Sequence, residues 1–179
     1  MPHGYFGGYL VINELARPLE FHCTLPLLPT KAQQILFGAT LDEFVCGEQI
    51  ARAMLSKAKV KPSMVLTDCP AALSVRHWID VPVFYLHRDG SDNGAGHNGA
   101  GHDGIGEDGF RIPSQQRSES ETLSRSIGEY EFRWLQTYAN DGRALQWLEG
   151  ADSIPVDLRE PFGRIVEALA EAHPRTKVA

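Results

Sequence analysis

Three cysteines and one histidine in the first half of the chain are of the residue types that commonly bind zinc in proteins. They are His22, Cys23, Cys46 and Cys69, and thiolate and imidazole groups are common zinc ligands. Adjacent strand residues point to opposite faces, so His22 and Cys23 do not easily ligate one ion. His22, Cys46 and Cys69 remain as candidate zinc ligands, although no C-x-x-C pair supports them. The alternative, which the sequence favours, is that the thiols are small side chains buried in the core. In that case the sequence identifies no cofactor.

The segment Cys46–Glu48 on one helix, followed by Cys69 at the start of a second helix, is similar to the zinc-dependent nucleoside deaminases. In that family a C-x-E or H-x-E segment follows a β-hairpin, and P-C-x-x-C opens the next helix. The similar order of elements covers about residues 9–86. In this chain Pro70 follows Cys69 instead of preceding it, and Ala72 occupies the position of the second family cysteine. The resemblance implies a small metal-dependent hydrolase or deaminase-like enzyme.

Glu48 is a candidate for acid–base chemistry. Thr40 and Glu43 match a capping box, and the helix that they open is predicted to run to about Ala58. Glu48 lies near the centre of the apolar stripe of that helix, where an unpaired carboxylate is costly. Arg52 stands four residues later, at the right spacing for an ion pair. Glu48 is therefore either an ion-paired residue at the edge of the core or a general base with a raised pKa.

Polar residues follow two strands of a predicted βαβ unit. The strands are predicted at 64–67 and 81–86, with a helix between them, and this order indicates parallel strands. Ligands of open parallel sheets gather beyond the carboxyl ends of the strands. Asp68 follows the first strand, and His87 and Arg88 follow the second. The three residues predict a catalytic site at this edge, and the alternative is that they are ordinary polar residues at strand exits.

The predicted fold is α/β, with a mixed sheet formed by an N-terminal β-hairpin and the βαβ unit. The hairpin strands are predicted at 9–13 and 19–24, and apolar and polar residues alternate in the second of them. Thr30 is predicted to cap a short helix at 31–37 that ends at Gly38.

The whole chain, residues 1–179, is predicted to form a single α/β domain. C-terminal helices, expected from residue 129 onward and over 156–172, are predicted to pack on the sheet. Residues 88–109 are rich in glycine, histidine and aspartate and contain almost no apolar side chain to bury. This composition predicts a flexible loop, because burial does not offset the entropy lost on ordering.

Charge and composition narrow the classes of function. The formal net charge of −6 and the pI near 5.6 argue against broad binding to nucleic acid or an anionic membrane. No apolar run approaches the length of a membrane span. The odd, small number of cysteines predicts reduced thiols in a cytoplasmic protein. Since no complete catalytic motif is present, we expect a non-catalytic interaction or accessory domain with a protein partner, in an oligomeric state that the sequence does not indicate. The metal-dependent enzyme is the alternative.

Overall fold

The computed structural model describes residues 4–87, 121–149 and 157–173. The strands β1 to β6 are Gly8–Ile12, Pro18–Cys23, Val65–Thr67, Val83–His87, Thr122–Ile127 and Tyr130–Leu135. The helices α1 to α7 are Lys31–Phe37, Glu43–Ala51, Arg52–Lys57, Pro70–His77, Gln136–Leu145, Gln146–Glu149 and Glu160–Ala172, and a single 3-10 turn, Gly38–Thr40, follows α1. Arg88 and the predicted loop at 88–109 lie outside the described residues.

The strands form two sheets, and the helices pack beside them. β1 and β2 pair as an antiparallel hairpin, and the second sheet has the order β3-β4-β6-β5. The predicted α/β class, with an N-terminal hairpin and a βαβ unit, is confirmed. The hairpin and the βαβ unit contribute to two sheets rather than one, and the antiparallel strands of the mixed sheet come from the C-terminal half of the chain.

The βαβ unit has the predicted parallel strands. Val65 of β3 pairs with Val83 of β4 in parallel, and α4 makes the connection between these strands. β4 is buried on both faces, as strands covered on both sides are. Side chains of successive β4 residues alternate between two core clusters, one around Phe84 and Phe132 and the other around Val83 and Leu73.

A second hairpin replaces the helix that was predicted from residue 129. Tyr130, Phe132 and Trp134 are buried at every second position of β6, which is the period of a strand and not of a helix. Gly128 has a φ of 60° in the turn between β5 and β6, a backbone conformation that glycine adopts without steric cost. The helical prediction was wrong because it followed the spacing of Phe132, Leu135 and Ala139, which also fits one face of a helix.

The helices of residues 30–57 confirm one predicted cap and correct another. Thr30 caps α1 through a capping box with Gln33, and Gly38 ends it with a φ of 48°, as predicted. Thr40 caps no helix, because its hydroxyl donates to the carbonyl of Phe37 at 2.8 Å. α2 is a π-helix, in which each backbone N–H bonds the carbonyl five residues earlier.

The C-terminal helix α7 packs against β1 of the hairpin. A Cβ atom on Gly8 would overlap Ile165 of α7, so the helix lies directly on the strand. Arg164 of the same helix donates to the Ala16 carbonyl at the hairpin turn, at 3.0 Å. In the parts of the chain that the structure describes, no helix combines the length and apolarity that a membrane span requires.

Candidate functional site

Polar side chains from three elements meet at the carboxyl edge of β3 and β4. Thr67 ends β3 and pairs with Tyr85 of β4, and Asp68 and Cys69 follow Thr67 directly. His87 ends β4. The parallel pairing therefore brings both strand ends to one edge of the sheet, where ligands of open α/β sheets commonly bind.

Cys69 occupies the N-cap position of α4 at this edge. Its sulfur accepts hydrogen bonds from the Cys46 thiol and from the backbone N–H groups of Ala71 and Ala72. These bonds lower the pKa of the Cys69 thiol, the Cys46 thiol contributing most, while burial and the neighbouring Asp68 charge act in the opposite direction. A thiol at a helix N-terminus with a lowered pKa has more of the reactive thiolate form at neutral pH.

Close packing of α2 on α4 brings Cys46 to Cys69. A Cβ atom on Gly47 would overlap the Ser74 hydroxyl, so only glycine permits this approach of the two helices. The Ser74 hydroxyl lies 3.0 Å from the Glu43 carbonyl of α2 and 2.9 Å from the Ala71 carbonyl of α4. Cys46 is buried, whereas Cys69 is half-buried. The pair thus has one buried thiol and one that solvent partly reaches.

Asp68 lies between β3 and Cys69 and has a raised pKa. The surrounding chain removes water from its carboxyl group and raises the pKa, and a bond from its own backbone N–H opposes this change. The residue as a whole remains exposed, so water still reaches part of the side chain and limits the effect. The charge of the Asp68 carboxylate acts on the neighbouring Cys69 thiol and raises its pKa.

A row of ionisable side chains continues from this edge across β4 and β6. Tyr85 pairs with Arg133 and His87 with Glu131 in the antiparallel register. Arg133 donates two hydrogen bonds of 3.1 Å to Glu131, and these lower the pKa of the Glu131 carboxyl. Burial raises the pKa of Tyr85, and the charge of Arg133 acts in the opposite direction. The guanidinium of Arg133, the carboxylate of Glu131 and the imidazole of His87 therefore lie on one face of the sheet.

His22 does not lie with the two thiols. Its Nε2 atom is 2.7 Å from Glu20 Oε1, and its ring stacks on Tyr9 with the ring centroids 6.4 Å apart. Among the described residues no three His, Cys, Asp or Glu side chains lie close enough together to hold a metal ion. The predicted zinc ligands Cys46 and Cys69 come together, but the structure gives them neither His22 nor another third ligand from the described residues.

Glu48 does not form the predicted ion pair with Arg52. The Arg52 guanidinium lies over the Trp78 ring, 4.1 Å from its centroid, a stacked cation–π arrangement. The prediction used the spacing of an α-helix, on which residues four apart are neighbours. The π-helical turns of α2 change that spacing. Glu48 is half-exposed, so its carboxylate has no need of a buried partner.

Sequence reasoning found part of this site and missed part. Asp68 and His87 lie at the predicted edge, and Cys69 was a candidate ligand, whereas Tyr85, Glu131 and Arg133 were not considered. The missed residues depend on the pairing of β4 with β6, which the helical interpretation of residues 129–139 excluded. The alternation of Glu131 and Arg133 with buried aromatic residues was the signal that would have revealed them.

The fold and site define a mixed α/β domain with a thiol pair at the carboxyl edge of its parallel strands. No protein-family model, no curated protein and no solved structure matches this chain.

Proposed function

We propose that this chain is a non-catalytic protein-interaction or accessory domain that docks on a partner protein through residues 25–36. Four large aliphatic side chains of this docking segment stand in solvent: Leu25, Leu28, Ile35 and Leu36 are 78%, 55%, 69% and 82% exposed. No residue of α1 is buried. This is the observation that carries the proposal, because exposed apolar surface of this density is typical of interaction sites.

Both ends of the docking segment are fixed to the core. The backbone of Leu27 pairs with Tyr5 through hydrogen bonds of 2.8 and 2.9 Å. At the other end, Phe37 stacks on Phe44 with the ring centroids 3.8 Å apart. Pro26 restricts the backbone further. The exposed side chains therefore sit on a pre-ordered backbone, which reduces the entropy that binding would cost.

The chemistry of the segment favours a protein partner with an apolar groove. Lys31 is the one charged residue between Thr24 and Thr40, and depletion of charge is typical of interface cores. A short helix that presents aliphatic side chains fits the helix-in-groove mode of recognition. Helices that bind anionic membranes carry several basic residues on their polar face, which α1 lacks. An acidic residue at the rim of the groove would complement Lys31. We further propose that the protein is cytoplasmic and that its partner is not a nucleic acid, as the sequence favours.

Photo-crosslinking in the native cell tests the proposal. The photoreactive amino acid p-benzoylphenylalanine is placed at Leu36, and as the matched control at Val166, an aliphatic residue of α7 that is 56% exposed. We expect a covalent adduct with one protein from position 36 and none from position 166. The partner is then purified, and its affinity for the wild-type chain is measured by calorimetry.

Two substitutions decide whether the segment makes the contact. We expect Ile35→Ser with Leu36→Ser to weaken the measured affinity at least about tenfold, since two aliphatic side chains lose their burial. Val166→Ser should leave the affinity unchanged. Unchanged affinity in the double variant, or adducts formed only between two copies of the purified chain, would overturn the proposal of a distinct partner.

The contact of Cys46 with Cys69 favours the alternative, a small metal-dependent hydrolase or deaminase-like enzyme. Two thiols supply half of a tetrahedral zinc site, and the described residues add no third ligand. Elemental analysis of the purified chain tests this alternative, because structural zinc binds tightly and survives purification. Zinc bound at less than about one tenth of the molar amount of the chain contradicts it.

A further inference from the structure

We propose that Cys69 and Cys46 are a redox-active dithiol, which hydroperoxides oxidise to an intramolecular disulfide with Cys69 as the attacked thiol. This modification site is independent of the docking segment and of the partner proposed above. It rests on the packing of α2 on α4, on the unequal exposure of the two thiols, and on the position of Cys69 at a helix N-terminus.

The geometry holds the two thiols in contact. Cys46 belongs to the core cluster that α2 shares with Ala71 of α4, and Cys69 packs against the same cluster. Gly47 follows Cys46 and lets the helices approach to the point where any larger residue would overlap Ser74. The side chains of Cys46 and Cys69 therefore pack together at a close helix contact, and the Cys46 thiol donates its hydrogen bond to Cys69.

The surroundings make the two thiols unequal. Cys69 is half-buried and accepts hydrogen bonds from backbone N–H groups of α4, so its thiolate is stabilised and partly accessible. Cys46 is only 8% exposed, which shields it from direct attack. Besides Cys46, the titratable groups that interact with Cys69 are Asp68 and Tyr85, and the Asp68 charge opposes the thiolate without reversing the lowered pKa. An accessible thiolate beside a resolving thiol is the arrangement of redox-sensing cysteines.

The oxidation balances in two steps. In the first, the Cys69 thiolate attacks one oxygen of hydrogen peroxide, so that an S–O bond forms, the O–O bond breaks and hydroxide leaves. In the second, the Cys46 sulfur attacks the Cys69 sulfenic acid, so that the S–S bond forms, the S–O bond breaks, and the hydroxyl group leaves as water with the Cys46 proton. The dithiol loses two electrons and the peroxide gains them.

Cys23 provides the internal control. It lies on β2, is exposed and forms no disulfide, so it reports the reactivity of an ordinary thiol in the same molecule. We expect Cys69 to react with iodoacetamide faster than Cys23 at neutral pH, because hydrogen bonds stabilise the Cys69 thiolate.

Peptide mapping after peroxide treatment tests the proposal. The full chain is treated with hydrogen peroxide, alkylated, digested without reductant and analysed by mass spectrometry. We expect a peptide pair linked through Cys46 and Cys69 in the wild type and in Cys23→Ser. In Cys46→Ala we expect the sulfenic acid of Cys69, trapped by dimedone. In Cys69→Ser neither product should form, and dithiothreitol should reverse the wild-type disulfide.

Several results would overturn the proposal. They are a disulfide that includes Cys23, a disulfide that persists in Cys69→Ser, or equal alkylation rates of Cys23 and Cys69 below pH 8. Failure of the peroxide to link Cys46 to Cys69 in the folded wild-type chain would also do so. Because Cys46→Ala removes a buried side chain, the circular dichroism of this variant is compared with that of the wild type. The result for Cys23→Ser does not depend on whether the Cys46→Ala variant folds.

Discussion

Gly47→Ala tests the helix contact on which the thiol site depends. The new Cβ atom would overlap the Ser74 hydroxyl and lie 3.1 Å from the Ser74 Cβ and 3.2 Å from the Val75 backbone nitrogen. Rotation of the Ser74 hydroxyl would remove it from the Glu43 and Ala71 carbonyls, and it would leave the close contacts with the Ser74 Cβ and the Val75 nitrogen in place. The two helices must therefore move apart, and this movement would also separate Cys46 from Cys69.

The size of the effect follows from the cost of overpacking. Extra methyl groups in a close-packed contact cost about 1–3 kcal/mol, and the better helix propensity of alanine returns less than about 1 kcal/mol. We expect a net loss of about 1–2 kcal/mol in the free energy of unfolding. Urea denaturation monitored by circular dichroism should then show a midpoint lower by about 0.5–1 M, for an m-value of about 2 kcal/mol/M.

Two further variants test whether the loss of stability comes from the overlap with Ser74 or from the introduction of alanine itself. Gly163→Ala in α7 is the matched control, because none of the described residues beyond its own stretch of helix has an atom within 4 Å of the added Cβ, and it should stabilise the chain by about 0.5–1 kcal/mol. In a Ser74→Ala background the cost of Gly47→Ala should fall by about 1 kcal/mol, since the overlapping hydroxyl is gone. The reasoning is refuted if Gly47→Ala is neutral, or if Ser74→Ala does not change its cost.

Three further predictions concern the packing and the electrostatics. Asp141→Ala should cost about 1.5–3 kcal/mol in urea denaturation because it removes two hydrogen bonds to the half-buried Arg76 guanidinium, whereas Glu149→Ala, at an exposed ion pair, should cost less than about 1 kcal/mol; equal costs would contradict this. Two backbone N–H bonds lower the pKa of Glu20 from 4.5 to about 2, so its contribution to stability is complete above 4.5 and is lost as the pH falls towards 2. The difference in unfolding midpoint between the wild type and Glu20→Gln should therefore shrink over that range, and a difference independent of pH would count against the assignment. Phe132→Ala should cost about 3–5 kcal/mol, because the ring is fully buried between Phe84 and Tyr130, and a loss below 1 kcal/mol would show that this cluster is not the core.

The sequence predicted best where local chemistry decides the structure. Thr30 with Gln33 fixes the start of α1, and Gly38 fixes its end, because both caps depend on residues within one helical turn. The βαβ unit was predictable for a related reason, since short apolar runs on both sides of a helix leave few other topologies. The prediction for residues 130–135 was wrong because Phe132, Leu135 and Ala139 share one helical face, while the aromatic residues of the same segment also repeat at every second position. Their assignment depends on pairing with β4, which is distant in the sequence.

The same distinction between local and tertiary causes applies to the residues of the candidate site. Asp68 and His87 were predictable, because parallel strands bring their carboxyl ends together whatever the detailed packing. The predicted ion pair between Glu48 and Arg52 was wrong because the prediction assumed α-helical spacing, and the sequence gives no sign that this segment forms a π-helix. The Cys46–Cys69 contact was considered only as part of a metal site. Its stabilising bonds come from the helix N-terminus and from the second thiol, and both depend on tertiary packing.

The π-helix and the thiol pair have a common physical basis. In α2 each backbone N–H reaches the carbonyl five residues back, so its side chains follow an angular spacing that differs from that of an α-helix. In this helix Cys46 and Gly47 both face α4 while Glu48 stays half-exposed. A π-helical segment has poorer backbone geometry than an α-helix and persists where packing compensates for it. The compensation here is the contact of Gly47 with Ser74, and we infer that the same contact holds Cys46 against Cys69.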